Sequence, residues 1–490
     1  MDSLIRNKGW LGGLSGALVA LSLPGFSAWP IGFVALVPLF YALEKKRSIL
    51  GGFLFGLALF AIDLRWILTL TRFSAWVVPG FILLIAYLSL YSVAFSLLVR
   101  WRRRPAPDGC FVLSVVAWFT LLEIARSLGP LGMGFSALHL SLYRTPWLIQ
   151  SAAFLGPWSI TAMLVAANGF FYLALTRRSL RYAVVGLAAI GALALFALLP
   201  VPTEDDVPVR VSVVSSTVLQ EVKLDSRNLS SLSDRYIALG QQAATEHPDL
   251  IVYPESILPA YILHSESLLE RFRQLARDGG THVLFGTGDV REREIFNAVA
   301  LLSPDGDVAG VYDMMRPVPF GEYVPGRRIW ESIGLGPLAD SFLPVDLSRG
   351  TEPVLLDGIG TPICFESTFS SSSRAFALRG ADLLVTVTND AWFAGSSELV
   401  AHFAASIFRA VETRRWLIQS ANGGISGIVD PRGAIHTSTR EEGVVTGTVL
   451  RREASSWYTR WGDLPLLVIL GIFALLGVTG CGRRTMRTGE

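Results

Sequence analysis

Thr361-Pro-Ile-Cys-Phe-Glu-Ser367 decides how this chain is read, because Cys364 is the only cysteine between residues 201 and 460. Upstream, Asp249-Leu-Ile-Val-Tyr-Pro-Glu-Ser256 sets Glu255 just past a short apolar run. Between the two lies Pro319-Phe-Gly-Glu-Tyr-Val-Pro325, and Asn389-Asp-Ala-Trp-Phe393 follows downstream. A lone thiol and a carboxylate, each at the end of a buried strand, point to covalent acyl chemistry on cysteine.

The surrounding block supports a fold able to hold such a pair. Val207–Val214, Leu250–Tyr253, Val283–Gly286, Ala298–Leu302, Thr361–Cys364, Leu383–Thr388, Ile425–Val429 and Val444–Val449 read as short apolar strands. Helical patterns alternate with them at Ser230–Glu246, Ser265–Asp278, Ser371–Arg379 and Ala401–Arg415. The alternation predicts an α/β domain over 201–460, long enough for a full core.

The rest of the chain is too apolar for solution. Of 490 residues, 51% are hydrophobic and 17% charged, and the mean hydropathy is +0.47. Apolar runs of spanning character lie near 10–23, 30–44, 50–70, 77–99, 110–126, 150–176, 182–200 and 462–480. Basic residues follow every second run: Lys45, Lys46 and Arg47; Arg100 and Arg102 to Arg104; Arg177, Arg178 and Arg181; Arg483, Arg484 and Arg487. Arg6 and Lys8 precede the first. If all eight runs span, these ends share one side, which the positive-inside rule makes cytoplasmic. Both termini are then inside and 201–460 outside. No A-x-A-like cleavage site marks a removed signal peptide.

Other classes are disfavoured. A net charge of +2 says nothing about nucleic acid, but no basic cluster is interleaved with the aromatics as a nucleic-acid face would require, so no nucleic-acid partner is expected. Cys110, Cys364 and Cys481 make no disulfide framework. Six histidines, without H-x-x-x-H or C-x-x-C spacing, predict no metal site, and no cofactor is expected. Thr71–Trp76 and Gly129–Pro146 carry Arg72, Phe73, Trp76, Phe135, His139, Tyr143 and Arg144, amphipathic side chains suited to a lipid headgroup interface on the outer side.

With these motifs in hand, 201–460 resembles the nitrilase (carbon–nitrogen hydrolase) superfamily. The matching runs are Tyr253-Pro-Glu255, Val318 to Pro325, Ile363-Cys-Phe-Glu366 and Thr388 to Phe393. His402, Arg409-Ala-Val-Glu412 and Ala421-Asn-Gly-Gly424 extend the likeness. Leu21-Ser-Leu-Pro24, Trp29 to Pro38 and Leu122-Glu123…Arg126 extend it into the apolar half, so the whole chain resembles the bacterial apolipoprotein N-acyltransferase family. The resemblance implies a multi-span α-helical membrane domain (1–200, about seven helices), a periplasmic four-layer αββα nitrilase-like sandwich (201–460), and a last membrane helix with a cytoplasmic tail (461–490). It implies a bacterial inner-membrane acyltransferase using a Glu-Lys-Cys triad, with Cys364 as nucleophile and Glu255 as general base. By the resemblance Glu322 is a second carboxylate near the nucleophile and Glu366 a polar support just after it; read as residues alone, Glu322 also fits a cap of the adjoining turn and Glu366 the start of a helix. Phe365 keeps the family's ring there, and Trp392 reads either as a floor of the acyl pocket or as plain core. The donor would be a membrane phospholipid and the acceptor the diacylglyceryl-modified N-terminal cysteine of apolipoproteins.

One position departs from the pattern. Eight residues before Glu322, where the family carries its triad lysine, stands Met314. Methionine has neither charge nor donor, and loss of one oxyanion donor typically costs roughly 10²–10³ in rate. Lys223, the only lysine in 201–460, looks remote in sequence, and Arg316 is the nearer cation. Leu224 stands where an aromatic often follows the loop lysine, and Phe365 where tyrosine is common. Two rivals therefore accompany the acyltransferase reading: a membrane-anchored amidase passing the acyl group to water, and a catalytically impaired homologue that only binds lipid or lipoprotein.

Overall fold

The computed structural model describes residues 9–43, 48–101, 108–201, 206–453 and 455–479. The chain divides into two compact units, Met1–Pro200 with Trp461–Glu490, and Val201–Arg460. Cys481 and most basic residues that set the expected sidedness (Arg6, Lys8, Lys45 to Arg47, Arg102 to Arg104, Arg483, Arg484, Arg487) lie outside the described residues.

Among the described residues of the first unit, five helices are long and apolar enough to cross a membrane: Ile49–Arg72, Val77–Arg100, Asp108–Arg126, Trp158–Arg177 and Leu180–Leu198. Trp10–Ser22, Trp29–Leu43 and Leu464–Thr479 are shorter apolar helices. With no water to drive burial, such helices hold together by close backbone packing on small residues. A Cβ on Gly12 would stand 1.9 Å from the Gly51 carbonyl oxygen, and one on Gly16 2.2 Å from that of Phe55. The unit's buried arginine and asparagine are paired, as an apolar surrounding favours. Arg126 binds Glu123 at 3.1 Å and donates to the Phe135 carbonyl at 2.8 Å, while Asn168 donates to the Gly32 carbonyl at 2.9 Å.

The second unit contains strands β1 (Val207–Ser215), β2 (Leu250–Val252), β3 (His282–Arg291), β4 (Glu294–Leu302), β5 (Val308–Asp313), β6 (Ile359–Gly360), β7 (Leu383–Asn389), β8 (Leu417–Asn422), β9 (Ser426–Val429), β10 (Ile435–Thr439) and β11 (Gly443–Arg451). They form two sheets, ordered β11-β1-β2-β3-β4-β5 and β10-β9-β8-β7-β6. Helices Leu229–Ala244 and Glu266–Gly279 cover the first sheet, packing Tyr236 and Phe272 against Tyr253 and Phe285. The Phe272 and Phe285 rings stack at 5.1 Å, a contact worth about 0.5–1.5 kcal/mol beyond burial. Helices Ser370–Leu378 and Glu398–Thr413 serve the second sheet. The sheets meet along β1 and β8, where Ser420 Oγ donates to the Val214 carbonyl at 2.6 Å. The result is the αββα sandwich.

The expected strand Thr361–Cys364 shrinks to β6 and a single bridge from Ile363 to Val387. Pro362 has no N–H for the ladder, and Cys364 has already turned to φ +46°. The chain therefore leaves the sheet at the nucleophile candidate.

Candidate active site

Glu255 and Cys364 come from different sheets and meet where the two sheets join. Tyr253-Pro-Glu255 follows β2, and Cys364 opens the one-turn helix Cys364–Thr368. The neighbouring turns are tight: Ser256 and Phe320, like Cys364, have positive φ (44°, 61° and 46°). Left-handed non-glycine residues cost of order 1–3 kcal/mol each and persist where surrounding structure holds them, commonly at functional sites.

Glu255 is 7% exposed. Its Oε1 accepts from Asn297 Nδ2 at 2.6 Å, and the same amide donates to Glu322 Oε1 at 3.0 Å. Glu322 Oε2 accepts from the Val318 N–H at 2.7 Å. Buried Glu255 Oε2 has no nitrogen or oxygen donor. Burial raises the Glu255 pKa; the Asn297 hydrogen bond, the Lys223 charge and the Cys364 thiol oppose it only in part. Glu322 is pushed up to about 7 by burial and then by the Glu255 charge.

Burial, followed by the charges of Glu255 and Asp390, pushes the Cys364 thiol well above its ordinary range. The resting site therefore holds a thiol rather than a thiolate. A carboxylate with raised pKa beside it is a stronger base than a free one, suited to take the thiol proton as attack begins.

Lys223 lies in this cluster, contrary to its remoteness in sequence. It is 4% exposed, and its ammonium donates to the Glu255 carbonyl oxygen at 3.3 Å. Burial lowers its pKa to about 8, with the Glu255 charge and then the neighbouring Cys364 sulfur opposing the fall, so it remains largely protonated at neutral pH. An amide ladder sets its short helix, Gln220–Leu224. Asn389 Nδ2 donates to Gln220 Oε1 at 2.9 Å, and Asn422 Nδ2 donates to Asn389 Oδ1 at 2.8 Å. Asn422 Oδ1 in turn accepts from the Val218 N–H at 2.9 Å.

Met314 is buried, with its sulfur 3.7 Å from Asn297 Nδ2. The guanidinium of Arg316 lies elsewhere, 3.4 Å over the Phe369 ring. The carboxylate acting on it is Glu366.

Glu366 is fully buried. Its Oε1 accepts from the Met315 and Arg316 N–H groups at 2.8 and 2.9 Å. Its Oε2 accepts from the Ile363 N–H at 3.0 Å and the Tyr312 hydroxyl at 2.9 Å. It thus ties the segment after β5 to the turn before Cys364. Half-buried Phe365 packs edge-on to Phe369 at 4.9 Å. Trp392 is half-buried on the one-turn helix Asp390–Phe393.

Asp390 and His402 support the Cys364 turn from the second sheet. His402 Nδ1 donates to Asp390 Oδ1 at 2.9 Å, and Nε2 donates to the Cys364 carbonyl at 2.9 Å. Burial works against its charge, but Asp390, Glu398 and the Cys364 carbonyl outweigh that and raise its pKa to about 9. Asp390, Glu398 and His402 bring possible metal-ligand atoms within 4.8 Å of one another. Here those atoms face one another, His402 Nδ1 lying 2.9 Å from Asp390 Oδ1 and 3.5 Å from Glu398 Oε1. Sequence reasoning assigns no role to Lys223, Asn297 or Asp390, and places His402 only among the residues that extend the likeness. Asn297 did carry a signal: one amide inside the apolar run Ile295-Phe-Asn-Ala-Val-Ala-Leu-Leu302.

Two families match the chain: "Carbon-nitrogen hydrolase" over residues 220–459 and "Apolipoprotein N-acyltransferase N-terminal domain" over 15–170. The chain is 33% identical to the apolipoprotein N-acyltransferase of Geobacter metallireducens, across 94% of this chain and 93% of that protein. It is 29% identical to that of Thermotoga maritima, across 94% and 92%. Among solved structures, a nitrilase-superfamily amidase from Nesterenkonia AN1 aligns at 19% identity and a TM-score of 0.37, covering 53% of this chain and 95% of that one. The relatives in sequence span both units, and the chain therefore belongs to the apolipoprotein N-acyltransferase family, a multi-span membrane acyltransferase built around a carbon–nitrogen hydrolase domain.

Proposed function

We propose that the enzyme moves an acyl chain from a membrane phospholipid, through a thioester on Cys364, to the α-amine of the diacylglyceryl-modified N-terminal cysteine of apolipoproteins. The observation that carries this reading is the pairing of buried Glu255 with half-buried Cys364, beside the Lys223 ammonium and the amide donor of Asn297.

In the first half-reaction the Cys364 proton passes to Glu255 as sulfur attacks the ester carbonyl. The C–S bond forms, the ester C–O bond breaks, and Glu255 returns the proton to the leaving glycerol oxygen, giving a lysophospholipid. In the second, the acceptor amine attacks the thioester. The C–N bond forms, the C–S bond breaks, and the amine's proton reaches sulfur by way of Glu255. Asn297 and Lys223 hold Glu255 in place, and His402 holds the Cys364 carbonyl. Glu366 fixes the turn, Glu322 faces Glu255 through Asn297, and Phe365 and Trp392 offer apolar surface to the chain. Lipid donor and lipid-modified acceptor give the multi-span unit a purpose. The charge pattern supports both termini in the cytoplasm and 201–460 in the periplasm, as the periplasmic acceptor requires.

The test is intact mass of the full-length protein after incubation with phospholipid vesicles and no acceptor. A hydroxylamine-labile gain of one acyl chain, absent from Cys364→Ala, is the expected result. Acyl transfer that survives in Cys364→Ala sinks the mechanism.

A further inference from the structure

We propose that Lys223 supplies the positive charge of the active site in this chain, standing in from the first sheet for the lysine that Met314 replaces. The inference rests on the acyl-enzyme reading above and identifies what lets that chemistry survive the replacement.

The geometry is specific. Lys223 is the only lysine among residues 201–460, where every other long cation is arginine. A lysine is seldom fully buried without a partner, yet this one is 4% exposed. Its ammonium sits against the Glu255 backbone at 3.3 Å, and the side chains acting on it are Glu255 and Cys364. The amide ladder from Asn422 through Asn389 to Gln220 fixes its helix to the strand ends that carry Asp390. Arg316, the other cation near the gap, is committed to Phe369 and Glu366. Met314 itself lies beside Asn297, the amide that holds Glu255. A charge at either place, 223 or 314, can therefore act on the same carboxylate.

Lys223 acts through Glu255 and Cys364 rather than on substrate, as a positioning residue. Its ammonium favours the ionised base before attack and stabilises the negative charge that develops on sulfur as its proton passes to Glu255. Lysine is suited to this, since a compact ammonium fits a small desolvated space where a guanidinium fork does not.

The experiment is the rate of thioester loading from phosphatidylethanolamine vesicles in four full-length proteins: wild type, Lys223→Met, Met314→Lys and the double variant. Lys223→Met is expected to lose roughly 10²–10³ in rate, the scale of one missing charged donor. In the Met314→Lys background the same change should cost less than about tenfold, because the second charge covers for the first. Met314→Lys alone should gain less than about tenfold. Lys223→Met loading as fast as wild type, or costing the same in both backgrounds, overturns the proposal. So does a gain of roughly 10² or more from Met314→Lys alone. Lys223→Gln, which keeps a donor for the Glu255 carbonyl without the charge, replaces Lys223→Met if that variant fails to fold, with the same expectations. Failure of the acyl-enzyme reading looks different: Cys364→Ala would then load like wild type, and this proposal would fall with it.

Discussion

Gly286 on β3 lies directly under the backbone of Glu255. A Cβ there would stand 2.5 Å from Glu255 Cα and 2.6 Å from the Ser256 nitrogen. The obstructing atoms are backbone, so neither can swing aside. Gly286→Ala is therefore expected to shift Glu255 away from Cys364. A misplacement near 1 Å costs on the order of 10²-fold in rate, and overpacking costs about 1–3 kcal/mol in stability. Loading kinetics and thermal unfolding of the purified protein read the two effects. An alanine variant that loads at the wild-type rate would show that Glu255 needs no fixed placement.

Asn297 holds two carboxyls at once, and its hydrogen bonds lower the pKa of both Glu255 and Glu322. Asn297→Leu removes those donors, so both pKa values rise further. More of the base is then protonated at neutral pH, and the acidic limb of the loading-rate profile should move to higher pH. A drop of roughly 10²-fold at neutral pH is expected, the lower range of general-base contributions. An unchanged acidic limb would detach Asn297 from the base.

Glu322 should make the domain less stable as pH rises. Its folded pKa, about 7, is above the ordinary value of 4.5, so the folded state binds its proton more tightly than the unfolded state does. Stability from this group is greatest below the unfolded pKa and is lost as pH rises through the window to about 7. The slope is at most about 1.4 kcal/mol per pH unit. Glu322→Gln should flatten thermal stability between about pH 4.5 and 7, measured by unfolding midpoints across that range. A slope identical to wild type would refute the assignment.

Glu366 should matter to folding before chemistry. Its removal leaves the Ile363, Met315 and Arg316 N–H groups without their acceptor. Glu366→Ala is expected to cost roughly 2–5 kcal/mol, the range for stripping a buried charged acceptor from its donors. Glu366→Gln, which keeps one acceptor oxygen, should lose less. Equal melting temperatures for both variants and wild type would mean the network bears no load.

The layers of the fold were legible where residues alternate cleanly. The expected helix Ser265–Asp278 is found at Glu266–Gly279, and the expected strand Val207–Val214 at Val207–Ser215. The strand β8, Leu417-Ile-Gln-Ser-Ala-Asn422, escaped notice because half its residues are polar. They are nonetheless buried, each paired inside the sandwich: Gln419 donates to the Ile425 carbonyl at 3.0 Å and Ser420 to Val214 at 2.6 Å. Of the site, the motif-bearing residues Glu255 and Cys364 could be read from sequence, each ending an apolar run. Lys223 could not, since what brings it to Glu255 is an amide ladder spanning some 200 residues of chain, from Asn422 back to Gln220. No periodicity encodes such a contact.

Glu255, Asn297 and Lys223 hang from the first sheet, while Cys364, Asp390 and His402 hang from the second. Neither half alone contains a base facing a thiol. The pairing therefore exists only in the joined sandwich, where Ser216 beside the first sheet bridges Asn422 of the second; with the sheets parted, the thiol has no carboxylate beside it.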